Sequence, residues 1–294
     1  MFFETVISKY YDNDNTKRII DGSREKRATT IRINTLKTDK QSILNLLDEL
    51  SVDYKEVDYN INALIIQNNE ELIRNSDNYK NGEIYFQSLS SQLPPILLSP
   101  SHDTDILDMC AAPGGKTSQL AAITHNKCNI TACEMNKIRA ERLKYNLSKL
   151  GVKGANVMLT DARNIESYFS FDKILLDAPC SGSGTLNIEN PKSLEGFSDA
   201  LINKCVAAQK KLLDKAVSVL KKGGEILYST CSVLPVENEE IVKPILEKYE
   251  LKTVELDHNI VKHLPLLPCS LENAVCVCPT KEYEGFFLVK ITKK

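Results

Sequence analysis

From Ile106 onward, short apolar runs alternate with longer segments of helical spacing, and this alternation constrains the fold more than any other feature of the chain. Ile106–Met109 reads as a strand, followed by a helix from about Gly115 to Ile123. Asn129–Cys133 reads as the next strand and Lys137–Leu150 as a helix stopped by Gly151. Asn156–Leu159 and Lys173–Leu176 continue the series. Ser198 caps a long helix with Leu201, Leu212, Leu213, Val217 and Leu220 facing inward, Lys221 and Lys222 in its last turn and Gly223 after it. Glu225–Tyr228 reads as a strand, a helix starts at Pro235, and Phe286–Ile291 closes the sheet. Strands separated by helices need crossover connections. The expectation is therefore an α/β chain with a mostly parallel sheet covered on both faces.

Ahead of this series lies a small α+β unit. Thr29–Thr35 alternates and reads as a strand. Asp39 can cap a helix with Ile43, Leu46, Leu47 and Leu50 at helical spacing. Ile61–Ile66 and Ile84–Phe86 are further strands. Leu93-Pro94-Pro95 interrupts, and Ser99-Pro100-Ser101 marks a boundary, giving domains 1–100 and 101–294.

Size and composition narrow the function classes. A chain of 294 residues holds one large domain or two modest ones. No apolar run is long enough to cross a bilayer, and Met1-Phe2-Phe3-Glu4 turns polar at once, so a cytoplasmic location without membrane attachment is expected. The nine cysteines are odd in number and lack C-x-x-C spacing, which argues against a disulfide framework and a zinc site. Cys128, Cys133 and Cys205 read as packing residues, as do Cys269, Cys276 and Cys278; no metal is expected. A net charge of −2 argues against broad nonspecific binding to nucleic acid. A local basic stretch, Lys17 to Lys40, is ordinarily a solvated face. It becomes a phosphate contact if the site needs a polynucleotide.

The chemistry concentrates where strands end. Asp108-Met109-Cys110-Ala111-Ala112-Pro113-Gly114-Gly115-Lys116-Thr117 forms a glycine-rich strand-to-helix turn, without the G-x-G-x-x-G spacing of a dinucleotide site. Glu134, Asp161 and Asp177 end three successive strands, at the edge where open α/β sheets bind ligands. Asp177-Ala178-Pro179-Cys180-Ser181-Gly182 and Ser229-Thr230-Cys231-Ser232 bring a cysteine to the ends of two strands. Thiolates are strong nucleophiles, so a small-molecule site beside two thiols suggests group transfer. These residues alone leave open which cysteine attacks.

D-M-C-A-A-P-G-G-K-T, D-A-P-C-S-G-S-G and Y-S-T-C-S-V-L-P-V-E-N-E-E resemble the signature segments of the RsmB/Nop/Sun RNA cytosine-5 methyltransferases. The resemblance extends to Tyr85-Phe86-Gln87-Ser88-Leu89-Ser90-Ser91 and Gly285-Phe286-Phe287, and covers roughly 28–292. It implies a Rossmann-like class I methyltransferase sheet using S-adenosylmethionine, with an RRM-like N-terminal unit that binds RNA. Cys110, Ala111, Ala112, Pro113, Gly114, Gly115 and Lys116 would form the cofactor loop. Glu134, where the family usually has aspartate, would hold the ribose, Asp161 would sit near the adenine, and Asp177 would border cofactor and target base. Cys231 would be the nucleophile and Cys180 would help release the product. Lys116 would orient the target or stabilise a thiolate by its charge.

The chemistry explains the need for such residues. Carbon 5 of cytosine is a poor nucleophile, and thiolate addition at carbon 6 activates it. The base must be unstacked to be reached. Arg32 and its basic neighbours are candidate contacts to the RNA backbone. Arginines that many members carry after the first cysteine motif are missing from Leu186–Pro191. The expected substrate is RNA, rRNA ahead of tRNA, with no obligate protein partner. The competing reading is a catalytically idle RNA-binding assembly factor on the same fold. Retention of both cysteines, Asp177 and Lys116 argues against it.

Overall fold

The computed structural model describes residues 2–293. Contacts divide it into two compact units, one of residues 28–165 with 171–175, the other of 1–27, 166–170 and 176–294.

The first unit opens with β1 (Thr29–Ile33), β2 (Tyr54–Glu56), β3 (Ala63–Ile66) and β4 (Ile84–Phe86). They form an antiparallel sheet in the order β2-β3-β1-β4. Helix Lys40–Glu49 lies between β1 and β2 in the chain, and helices Glu70–Asn75 and Asp77–Lys80 lie between β3 and β4. This is the βαββαβ arrangement of an RRM-like unit. Asp39 caps the first helix by accepting from Ser42 N–H. β2 was not legible in the sequence, because its three residues are mostly exposed and Lys55 and Glu56 carry no apolar alternation.

One face of this sheet packs Ile31, Ile33, Leu64 and Ile84 against Ile43, Leu47 and Ile73. The opposite face is where RRM-type units stack bases. Here Thr30, Arg32, Ala63 and Ile65 on that face are all buried. The central strands β1 and β3 of that face are therefore closed to RNA. Arg32 in particular, only 2% exposed, cannot serve as the backbone contact expected from its charge.

Helix Leu89–Leu98 runs straight through Pro94 and Pro95, where the sequence suggested an interruption. A helical proline leaves the carbonyl four residues earlier without its N–H. The carbonyl that Pro95 orphans belongs to Ser91, and Gln87 Nε2 donates to it at 3.1 Å.

β5 (Asp105–Asp108), β6 (Asn129–Glu134), β7 (Ala155–Leu159) and the first five residues of β8 (Phe171–Asp177) follow. They are parallel, in the order β7-β6-β5-β8. Helices Gly115–Ile123 and Lys137–Lys149 make the crossovers. The order reverses between β5 and β8, the switch point at which doubly wound sheets bind ligands.

The second unit carries β9 (Leu220–Thr230), β10 (Lys252–Val254), β11 (Leu266–Leu267), β12 (Ala274–Val277) and β13 (Phe286–Thr292), all in antiparallel pairs. β13 pairs with β9, β10 and β12, so it is an inner strand, with β11 beyond β12. The long helix Asp199–Ser218 is capped by Ser198 as expected, but it ends before Lys221, Lys222 and Gly223, which belong to β9. Gly223 adopts φ 73° and donates to Lys293 O at 2.7 Å, so this glycine shapes the strand rather than stopping the helix. The buried face of the helix is Ile202, Cys205, Gln209, Leu212, Leu213, Ala216 and Val217; Leu201 is only half-buried. Pro235 begins a short 3-10 turn, Pro235–Glu237, and the α-helix starts later, Glu239–Tyr249. Among the described residues no helix is long and apolar enough to cross a membrane.

Candidate active centres

The first unit holds the glycine turn. Asp108 ends β5 almost fully buried, and its Oδ2 accepts from Thr117 Oγ1 at 2.7 Å, fastening the start of helix Gly115–Ile123 to the strand. Ala111 N–H donates to Cys133 O at 3.0 Å and Gly114 N–H to Ala111 O at 2.8 Å. Gly114 has φ 108°, which an L side chain rarely adopts. A Cβ on Gly115 would lie 2.9 Å from the Tyr85 ring. That second glycine thus makes room for an aromatic neighbour, where the sequence suggested close approach to a ligand. Cys110 and Lys116 are half-buried, Ala111 and Ala112 buried, Pro113 exposed. Lys116 Nζ donates to Ser91 Oγ at 2.8 Å. Arg32 reaches the same helix start, donating to Ser118 Oγ at 2.8 Å and to Gln87 Oε1 at 2.9 Å. Burial lowers its guanidinium to about 10, so it remains charged at neutral pH.

Two acids follow on neighbouring strands. Glu134, 5% exposed, accepts from Asn136 N–H at 2.8 Å and pairs with Arg139 at 3.3 Å. Arg139 also donates to Ala112 O at 3.1 Å, so one arginine ties the acid to the turn. Asp161, half-buried, takes a forked contact from Arg163 through Nε at 2.9 Å and Nη2 at 2.5 Å. Those bonds hold its carboxyl below the usual range. The arginines were missed by sequence reasoning, although Arg139 lies only five residues and Arg163 two residues after its acid.

These residues fit a nucleoside sulfonium. The first N–H groups of helix Gly115–Ile123 lie ahead of any intrahelical partner. Glu134 has two recorded contacts among roughly four acceptor positions of a carboxylate, leaving room for a ribose diol. Asp161 accepts four contacts from Arg163, so an adenine amino group would have to displace or share one of them.

The second unit holds the thiols. Cys180 and Cys231, both half-buried, lie with their sulfurs 3.1 Å apart. Asp177 Oδ1 accepts from Ser229 Oγ at 2.8 Å, and Ala178 N–H donates to Ser229 O at 2.8 Å. Gln209 Nε2 holds Pro179 O at 3.0 Å, and Gly184 N–H holds Cys231 O at 3.0 Å. The contact with Cys231, together with burial, holds the Cys180 thiol well above the ordinary range.

Beneath them lies a carboxylate that the sequence reading left unused. Glu237, fully buried, accepts from Ser181 N–H at 2.7 Å, Ser181 Oγ at 2.6 Å and Ser232 Oγ at 2.5 Å. The signal was present: each cysteine is followed directly by a serine, and Glu237 sits in the quoted V-E-N-E-E run.

Cys128, Cys133, Cys205, Cys276 and Cys278 are buried and pack. Burial raises Cys133 to about 12 and Cys205 to about 11. The basic stretch is largely spoken for. Lys17 pairs with Asp21 at 2.5 Å, Arg24 with Glu189 at 3.5 Å and Lys40 with Glu56 at 2.5 Å. Arg27 donates to Gly22 O and Thr280 O.

A parallel order with its switch beside the first strand, a glycine turn after that strand and acids closing the next two together are the marks of the Rossmann-like methyltransferase fold. The family model described as 16S rRNA methyltransferase RsmB/F matches residues 95–292. The chain is 34% identical over 277 residues to ribosomal RNA small subunit methyltransferase F of Shewanella piezotolerans, covering 90% of this chain and 57% of that one. It is 33% identical to the tRNA (cytosine(49)-C(5))-methyltransferase of Pyrococcus abyssi, covering 90% of this chain and 88% of the relative. A solved methyltransferase homologue from Pyrococcus horikoshii superposes with TM-score 0.85 at 31% identity, over 99% of this chain and 98% of the other. The chain belongs to the RsmB/F family. It spans little more than half the length of the first curated relatives it matches.

Proposed function

We propose that this chain methylates carbon 5 of cytosine in RNA, rRNA ahead of tRNA, through a covalent cysteine–base intermediate. The observation that carries the reading is the thiol pair, 3.1 Å apart, with Asp177 held by Ser229 on the same unit. The named relatives, one an rRNA methyltransferase and one a tRNA (cytosine(49)-C(5))-methyltransferase, support it. A cytoplasmic site of action without an obligate protein partner belongs to the same reading.

S-adenosylmethionine supplies an electrophilic methyl group; Glu134, Asp161 and the Cys110–Lys116 turn would hold it. Cys231 adds through sulfur to carbon 6 of the base, with the Cys180 thiol 3.1 Å from that sulfur. Asp177 bonds the nitrogen edge of the ring, and Lys116 orients the target. Carbon 5, now electron-rich, takes the methyl group. Once the Cys231 sulfur is bound to carbon, the main cause of the raised Cys180 pKa is gone. Cys180 can then give its proton to solvent water and, as thiolate, take the one on carbon 5, whose bonding pair forms the C5–C6 double bond as the Cys231 thiolate leaves. Residues 101–294 carry this chemistry in our reading. The N-terminal unit contributes to RNA contact through surfaces other than the closed face of β1 and β3.

The test is incubation with methyl-labelled S-adenosylmethionine and RNA, followed by bisulfite sequencing. Label in RNA at protected cytosines is expected. RNA binding without transfer would replace the proposal with an assembly factor, and label in small metabolites would refute the RNA substrate.

A further inference from the structure

A buried carboxylate with no cation against it is costly, and it persists only where donors compensate it. Glu237 is such a group: its carboxylate contacts are Ser181 N–H, Ser181 Oγ and Ser232 Oγ. The donors are not arbitrary. Ser181 directly follows Cys180, and Ser232 directly follows Cys231. The Ser232 hydroxyl has one hydrogen, which goes to Glu237. In its 2.9 Å contact with Ser183 Oγ it must therefore accept. Ser183 Oγ in turn accepts from Val233 N–H at 3.0 Å, and Ser232 Oγ from Leu234 N–H at 3.0 Å. Every direction in this network is fixed, and each bond joins the loop after β8 to the loop after β9 or secures one of them. The Glu237 backbone is fixed as well, its carbonyl accepting from the Tyr228 hydroxyl at 2.7 Å. Asn238 completes the clasp, accepting from Thr230 Oγ1 at 2.5 Å and donating to Ser232 O at 3.0 Å.

We infer that Glu237 is a positioning residue: by binding the residue after each cysteine it holds the two thiols within reach of one another. Cys180, Ser181, Cys231 and Ser232 all lie in irregular backbone, outside any helix or strand that would set this separation. The inference rests on the proposed thiol chemistry for its importance, but the separation itself can be measured without it. A second effect follows from the same placement. The Glu237 charge adds to the causes that keep Cys180 protonated, after the Cys231 contact and burial.

The experiment uses dibromobimane, a bifunctional reagent that bridges two close thiols. Each thiolate displaces one bromide, giving two thioethers and a fluorescent product. In the full chain, Cys180–Cys231 bridging, located by peptide mass mapping, is expected to be fast. In Glu237→Ala it should slow by about tenfold to a hundredfold, the penalty of a displacement near an ångström. Glu237→Gln, which keeps an acceptor for the hydroxyls, should recover part of the rate. With substrate RNA, kcat should fall in the same order while KM for RNA and for S-adenosylmethionine holds. Should the alanine variant fail to fold, Ser181→Ala with Ser232→Ala removes both hydroxyl bonds, leaving only the Ser181 N–H contact, and should reproduce part of the slowing. Wild-type bridging rates in folded Glu237→Ala or in the double serine variant would overturn the inference. Slow bridging beside a wild-type protein that transfers no methyl to RNA would instead refute the proposed function and leave the positioning role standing.

Discussion

At the scale of single residues, the two cysteines should fail differently. Cys231→Ala removes the proposed nucleophile, so neither methylated RNA nor a covalent complex should form. Cys180→Ala leaves attack intact but impairs release, so protein should accumulate on RNA. Denaturing electrophoresis after incubation with RNA and S-adenosylmethionine reads both outcomes; an adduct with the Cys231 variant alone would reverse the roles. Position in the chain was enough to find these residues, because strand ends are where such sheets bind ligands. What surrounds them was less legible. Glu237, Arg139 and Arg163 work through other side chains, and a sequence shows a partner only when it is also a neighbour. Arg32 shows the opposite failure. Its charge suggested solvent, yet the pairing of Gln87 and Ser118 with its guanidinium pays for burial.

At the scale of elements, legibility depended on whether local signals acted alone. Helix Gly115–Ile123 was read with its observed bounds, since a glycine start and an apolar run agree there. Helix Leu89–Leu98 was not, because its prolines argue for a break, and the compensating donor is a side chain just ahead of the helix, Gln87. This gives a prediction. Gln87→Ala strips the Ser91 carbonyl of its donor and Arg32 of an acceptor. Each such orphan costs about 1–3 kcal/mol, and the loss should appear as a lower denaturant midpoint with an unchanged slope. The end of helix Asp199–Ser218 was misplaced for a related reason. Lys-Lys-Gly is a good helix stop, but here it serves the turn of a long strand.

At the scale of the whole molecule, the buried thiols set a pH limit. Cys133, Cys205 and Cys269 are raised to about 12, 11 and 11. From about pH 8.5 the unfolded chain loses thiol protons that the folded chain keeps, so stability is intact below that pH and lost as pH rises toward the folded values. The melting temperature should fall steadily between about pH 9 and 11, and substituting Cys133 by alanine should flatten that fall at some cost in packing. A flat profile in the unsubstituted protein would show that these thiols are less buried than described. Expressed alone, residues 101–294 should be poorly soluble, which the yield after size-exclusion chromatography measures. Removing the first hundred residues uncovers Ser118 and takes Asn34 from Leu150 O, where its amide donates at 2.8 Å while also holding Gly82 O at 2.7 Å. Gly82 itself has no room for a side chain, since a Cβ would lie 2.4 Å from Lys149 O. The proline-marked joint near Ser99 is thus a seam in the text of the gene but not in the object it encodes. Recombination at that point would inherit half of an interlock, and any exchanged N-terminal segment would have to bring its own counterpart of Arg32, Asn34 and Gly82 to be accepted.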